Sequence, residues 1–279
     1  MDSGKTAAMI CPMLTRGALL LLSFALSTGC LQPQAAPDDL DGLARFFFDR
    51  FDPPQEDPGV SDVEMVDAFD KLHKIIGGDA LPEHVKGTMA KMTATELQVV
   101  GRDDLDPLRA VGLSVSGVIH CTLDQVEEII LNPEQLTLYP EAYETYQRTF
   151  DADEREHLRS WQIDYRSSPQ VPNQFNANVH SGLRRVPALP EARFGKTLVR
   201  RGFLSERAVF DDDENAEFTH DFQVETYHER APGEVVHWYG IWRWMQLGVI
   251  DIGQATLMNI TLDGMADWDK KTDELCAAD

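Results

Sequence analysis

From Phe218 to Met245 the chain reads FTHDFQVETYHERAPGEVVHWYGIWRWM, and this stretch limits the fold more than any other. Two long runs rich in β-branched and aromatic residues flank APGE, whose Pro232–Gly233 pair makes a turn. The pattern predicts an antiparallel β-hairpin. Side chains alternate across a strand. Trp238, Trp242 and Trp244 therefore share one face, and His237, Tyr239, Ile241, Arg243 and Met245 share the other.

The surrounding pattern extends the hairpin into a sheet. Strand-like runs precede it at 142–150, 156–166, 173–181 and 196–210. Upstream, VGLSVSGVIHC (Val111–Cys121) alternates through Val111, Leu113, Val115 and Val118, with a slip expected at Gly117. TLDQVEEIILNPEQL follows directly: Thr122 and Gln125 form a capping box, Val126, Ile129 and Ile130 line one face, and Asn132–Pro133 stops the helix. After the hairpin, Met258, Leu262, Met265, Trp268, Thr272 and Leu275 recur at helical spacing, predicting a long amphipathic C-terminal helix. Residues 39–105 read as a helical preface. Asp39 caps a helix with Leu40, Leu43, Phe47 and Phe51 on one face, ended by Pro53–Pro54. SDVE (Ser61–Glu64) is a capping box opening a second helix with the stripe Met65, Phe69, Leu72 and Ile76, closed by Gly77–Gly78. A further short helix is expected from Pro82. Strands followed by a helix define an α+β layer fold.

This order resembles the START-like helix-grip superfamily, which includes lipid-transfer domains and polyketide cyclases. The resemblance is carried by GVIHCTLDQVEEIILNPEQLTLYPEAYETY (Gly117–Tyr146), with Asn132–Pro133–Glu134, Leu138 and Tyr139–Pro140 in the places that superfamily uses. It covers roughly residues 110–279 and leaves out the preface. LRRVPALPEARF (Leu183–Phe194) is a longer proline-containing connection than the superfamily implies. The resemblance implies an antiparallel curved sheet gripping the C-terminal helix, with a hydrophobic small molecule or lipid held between them. Trp238, Trp242, Trp244, Met258 and Met265 are the candidate ligand-binding residues. The three tryptophans are expected to pack on the helix stripe, leaving His237, Tyr239 and Arg243 toward solvent or the preface. The inverse orientation is the alternative.

The first thirty residues obey a different rule. Arg16 precedes the apolar run GALLLLSFAL (Gly17–Leu26) and then STGC (Ser27–Cys30). A basic start, a short apolar run and small residues describe a secretory signal peptide, and about ten apolar residues fall short of the roughly 20 a spanning helix needs. The small residues before Cys30 resemble the lipobox of bacterial lipoproteins, in which the cysteine is diacylated and becomes the first residue of the mature chain. Ser27 stands where that box usually has Leu. An ordinary signal peptide is the alternative. LQPQAAPDD (Leu31–Asp39) reads as a tether after Cys30. Leu31 is not the aspartate that signals inner-membrane retention, which favours the outer membrane. The membrane is then reached through acyl chains, at about 0.8 kcal/mol per buried methylene.

Without residues 1–29 the chain keeps 23 basic and 46 acidic residues, a net charge of −23. Such a surface repels nucleic acid and anionic lipid, so no nucleic-acid partner is expected. Loss of Cys11 with the signal leaves Cys121 and Cys276 as either a disulfide or two buried thiols. There is no nucleophile elbow, phosphate loop, dinucleotide fingerprint or His-Glu-x-x-His motif, and no cofactor or catalytic residue is assigned. HERAP (His228–Pro232) lacks the second histidine. His220 and His228 share parity but lie too far apart along a strand to hold one metal. FDDDENAE (Phe210–Glu217) gathers carboxylates and Asn215 without the glycine of a calcium loop, and reads as a solvated turn. Three readings are open: an anchored protein binding a hydrophobic small molecule, a structural or partner-binding lipoprotein with a filled core, and an acid–base enzyme using residues such as His237, Tyr239 and Arg243.

Overall fold

The computed structural model describes residues 33–278 apart from 55–57, 83, 153, 154, 156, 170–173, 212–214, 248, 249 and 252. The signal segment, Cys30 and the first two residues after it lie outside the described residues, as do Asp212, Asp213 and Glu214 of the acidic FDDDENAE turn. In chain order the elements are α1 (Leu40–Asp49), α2 (Pro58–Ile75), β1 (His84–Met89), α3 (Ala94–Val99), β2 (Val111–Ile119), α4 (Leu123–Leu131) and α5 (Gln135–Leu138). Then follow β3 (Tyr143–Phe150), β4 (Leu158–Ser167), β5 (Phe175–Val186), β6 (Thr197–Leu204), β7 (Val209–Phe210), β8 (Glu217–Ala231), β9 (Glu234–Leu247), β10 (Ile250–Asp251) and α6 (Gln254–Ala278). One antiparallel sheet runs β1-β2-β9-β8-β6-β5-β4-β3, with β10 on β9 and β7 on β5. Its inner face receives α6, so the structure has the α+β helix-grip layout that the START-like resemblance implied.

The predicted hairpin is β8–β9, in register from Glu229↔Val235 through Tyr227↔His237 and Glu225↔Tyr239 to Asp221↔Arg243. The strand parity of β9 is as expected, but the side is reversed. Trp238 and Trp242 point to the outer face, where they are fully buried with Phe47, Phe48, Phe69, Phe222 and Val224. Phe48 meets Trp242 edge-on at 5.9 Å, and the Trp242 Nε1–H donates to the Ala90 carbonyl at 2.9 Å. The expectation that the tryptophans pack on the C-terminal helix is therefore corrected. The preface supplies a larger aromatic surface than α6 does, and burial area decides which face is covered. Gly240 is part of this arrangement, since a Cβ there would stand 2.5 Å from the Trp238 ring.

Three further local expectations are corrected. Helix α2 begins at Pro58, suited to a first helical turn, so Ser61 and Asp62 lie inside it instead of capping it. They accept hydrogen bonds from the buried Arg184 guanidinium at 3.0 and 2.7 Å. Residues 82–100 form the edge strand β1 and then α3, whose own capping box is Thr93 and Glu96. Strand β2 also runs through Gly117 without a slip, so Gly117 and Ile119 continue the face of Val115 while Val118 lies opposite. The α4 capping box forms as read, Thr122 Oγ1 accepting from Gln125 N at 3.3 Å.

Polar hooks complete the preface contact. Arg201 donates to the Phe48 carbonyl and to Asp52, and Arg184 donates to the Arg50 carbonyl at 2.7 Å. His73 Nδ1 and His228 Nε2 are 2.9 Å apart, and His73 Nε2 lies 3.2 Å from Asp79. Both histidines are neutral in that chain of bonds. Burial first, then the neighbouring His73 and Arg193, push His228 down to about 3. On the other side, Cys121 and Cys276 are joined in a disulfide that ties the last turn of α6 to the end of β2. Closing a loop of that size restricts the unfolded chain by roughly 4–5 kcal/mol in the chain-entropy account.

Because preface and sheet share one core, Phe48→Ala should cost about 3–5 kcal/mol and unfold α1, α2 and sheet in a single urea transition. Separate transitions for helix and sheet signals would contradict a shared core.

Candidate inner-face site

The reversal gives the inner face to polar groups. On β9 the alternating positions are His237, Tyr239, Ile241 and Arg243, and their β8 partners are Tyr227, Glu225, Gln223 and Asp221. Strand β6 adds Arg200 opposite Glu225, β4 adds Tyr165, and β3 adds Tyr146 with Tyr143 just before a bulge. The sequence reading put His237, Tyr239 and Arg243 on one face but not against α6, and it missed Arg200, Asp221, Glu225, Tyr143, Tyr165 and Asp269. The hairpin itself carried a usable signal. Counting back from Pro232–Gly233 brings Asp221, Glu225 and Tyr227 to within one residue of the three already singled out, and the bulge between Glu229 and Ala231 makes the pairing.

A chain of charges crosses this face. Asp269 of α6 takes a hydrogen bond from His237 Nδ1 at 2.9 Å and lies 3.2 Å from His84 Nε2. His237 Nε2 stands 3.6 Å from Glu225, an ion-pair separation too long for a hydrogen bond. Glu225 accepts from Arg200 at 3.0 and 3.3 Å and from the Tyr227 hydroxyl. Tyr227 stacks on His237 with ring centroids 4.5 Å apart. A second pair joins Arg243 to Asp221 through two bonds of 3.1 Å. Burial works against the His237 charge, but Asp269 and Glu225 outweigh it and raise His237 to about 9. Burial likewise opposes the Glu225 charge, and Arg200 followed by His237 overcomes it, holding Glu225 down at about 2. Near neutrality both stay charged, so neither is poised to exchange a proton as a general base.

Around the charges lies an aromatic wall with unused hydrogen-bonding capacity. Tyr143 contacts Tyr146 and Tyr165, with ring centroids 4.9 and 5.4 Å apart. Burial raises the hydroxyls of Tyr143, to about 12, and of Tyr165 and Tyr239. Among the described residues, none of these three hydroxyls has a hydrogen-bond partner. All three tyrosines are half-buried, as are Arg200, Gln223 and Arg243, although they sit on the face that α6 covers. The half-buried Val111, Val179, Met245 and Met258 bring apolar surface to the same face.

The five candidate ligand residues are thus separated. Trp238 and Trp242 belong to the outer core, and Trp244 lies on that same face under the Arg109 guanidinium at 3.5 Å. Met265 is buried on α6, and Met258 alone of the five reaches the inner space. Tyr139 and Trp268, from the START-like phrase and the helix stripe, stack at 6.0 Å, and the Tyr139 hydroxyl bonds Thr272 at 3.0 Å. That contact clamps α6. Among the described residues no group of three His, Cys, Asp or Glu is arranged to hold a metal, and no helix is long and apolar enough to cross a membrane.

No family model and no curated protein sequence matches the chain. Among solved structures it is similar to the human StarD13 (DLC2) lipid transfer and protein localization domain, at 10% identity over 68% of this chain and 83% of that one, TM-score 0.43. Human StAR-related lipid transfer protein 5 is similar at 9% identity over 78% and 97%, TM-score 0.41. Dicamba monooxygenase bound to 3,6 dichlorosalicylic acid is similar at 8% identity over 62% and 50%, TM-score 0.43. At TM-scores below 0.5 these likenesses decide nothing about activity, which has to be read from the residues themselves.

The raised His237 gives a pH test. Its folded value of about 9 lies above the unfolded value of roughly 6.5, so its stabilisation is complete below pH 6.5 and is lost as pH rises through 9. Urea unfolding should show about 3 kcal/mol lost between pH 6.5 and 9.5 in excess of any loss in His237→Gln. Equal losses in the two proteins would contradict the ion-pair assignment.

Proposed function

We propose that this chain is an exported, lipid-anchored protein of a bacterial cell envelope that binds an amphipathic small molecule or lipid between the inner sheet face and α6. The observation that carries the binding reading is the set of three half-buried tyrosines on the inner face, Tyr143, Tyr165 and Tyr239, whose hydroxyls have no hydrogen-bond partner among the described residues. Each is half-buried, so its hydroxyl is open to whatever occupies that face, and a ligand with acceptor groups supplies a partner. Helix α6 is hooked at its C-terminal half by Asp269, Thr272 and the Cys276 disulfide, whereas Thr256, Asn259 and Ile260 of its N-terminal half are exposed.

The anchoring part rests on the sequence around Cys30, and outer-membrane placement on Leu31. Mass spectrometry of the chain made in a bacterium with export and lipidation machinery tests both parts. Under denaturing conditions the mature protein should begin at Cys30 and carry acyl mass; an unmodified or uncleaved terminus would overturn the anchor. Under native conditions a stoichiometric small-molecule mass should remain and vanish on denaturation. A bare native mass after incubation with envelope lipid extract would overturn the binding reading.

A further inference from the structure

We propose that the ligand of the inner-face site carries an anionic group, a carboxylate, seated against Arg148, Arg200 and the Tyr143 hydroxyl, with its apolar part against Val179, Met245 and Met258. This rests on the inner face being the binding site. The reasoning is a local charge count. Among the described residues, Arg200 and His237 are matched by Glu225 and Asp269, and Arg148, lying over Trp161 beside the Ser181 that Arg200 bonds, adds a third cation to the same face. Arg243 and Asp221 balance one another separately. One positive charge is left over, in a chain whose net charge is −22.

The surplus belongs to Arg148. Its Nε and Nη2 donate to the Tyr146 hydroxyl at 3.0 and 2.8 Å, and its Nη1 to the Ile130 carbonyl at 2.7 Å. No carboxylate among the described residues pairs with it. Its guanidinium lies over the Trp161 ring, 4.7 Å from the centroid, which fixes it in place and does not neutralise it. The Tyr143 ring packs on Tyr146, whose hydroxyl Arg148 bonds, and Arg148 lies over Trp161, the cross-strand partner of the Ser181 that Arg200 bonds, so the three groups share one neighbourhood.

Donor counting gives the same answer. Arg200 uses Nη1 on Glu225 and Nε on Ser181, which leaves its Nη2 without a protein acceptor among the described residues. With the Tyr143 hydroxyl this offers donors and a net positive charge at a site short of acceptors. A carboxylate satisfies both and returns the cluster to neutrality. A buried unbalanced charge is otherwise costly. An uncharged alcohol would fill the donors without relieving the charge.

The test uses the purified full-length chain, stripped of bound lipid and titrated at pH 7.5 with dodecanoate, with dodecanol and with methyl dodecanoate. Dodecanoate should bind at least about tenfold tighter than either neutral probe, the value of one charge-assisted hydrogen bond. Arg148→Gln should erase that preference by weakening dodecanoate far more than dodecanol. Arg148 has no carboxylate partner among the described residues, so this variant orphans no buried charge there. Should it fail to fold, Tyr143→Phe removes a hydroxyl with no hydrogen-bond partner among the described residues, and should weaken dodecanoate more than either neutral probe. Equal binding of acid and alcohol would overturn the anionic ligand while leaving the amphipath site standing. Binding of none of the three would overturn the site itself.

Discussion

The structure depends on one layer, the aromatic contact between the preface and the outer sheet face. Phe47, Phe48 and Phe69 from α1 and α2 close over Trp238, Trp242 and Phe222, and every one of them is almost wholly inaccessible. Each large aromatic buries on the order of 150–250 Å², so this layer outweighs what the modestly amphipathic α6 could offer. Once the tryptophans are committed to that side, alternation leaves no choice for their neighbours. His237, Tyr239 and Arg243 must face inward. The polarity of the inner site is therefore a consequence of how the outer face is covered.

A polar inner face is expensive, and the way it is balanced shows where function lies. Buried ion pairs recover their desolvation cost only with close geometry and further hydrogen bonds. The Asp269–His237 and Glu225–Arg200 pairs meet that condition, the 3.6 Å His237–Glu225 contact joins them by charge alone, and the Asp269 bond fixes α6 to the sheet. Their stabilising role needs no ligand. Tyr143, Tyr165, Tyr239 and Arg148 are different, because their hydrogen bonds or charge are left without a full complement of protein partners. Structure explains the first group, and the proposed ligand would complete the second.

Much of the fold was legible in the sequence because it follows from local patterns. Turn chemistry at Pro232–Gly233 set the hairpin, Thr122 and Gln125 set the start of α4, and helical spacing set α6. The side on which Trp238 packs was not legible, since alternation separates faces without saying which partner each will meet. Ser61–Glu64 misled for a related reason: the residues that suit a helix cap also suit an ion pair with Arg184, 122 residues away from Asp62. Edge strand β1, with Lys86 and Gly87 and little apolar alternation, gave no strand pattern. Of the site, His237, Tyr239 and Arg243 were grouped correctly. Arg200 and Tyr143 come from strands whose register is set by long-range pairing, and Asp269 sits on the buried stripe of a helix where an apolar residue is expected.

The central claim is that ligand is taken up on the inner face and not beside the tryptophans. The most direct measurement is NMR of the chain with fluorinated tyrosine and fluorinated tryptophan, compared before and after saturation with envelope lipid extract. Resonances of Tyr143, Tyr165 and Tyr239 should shift together while those of Trp238 and Trp242 stay in place. Shifts confined to the tryptophans would contradict the account and return the binding site to the outer face.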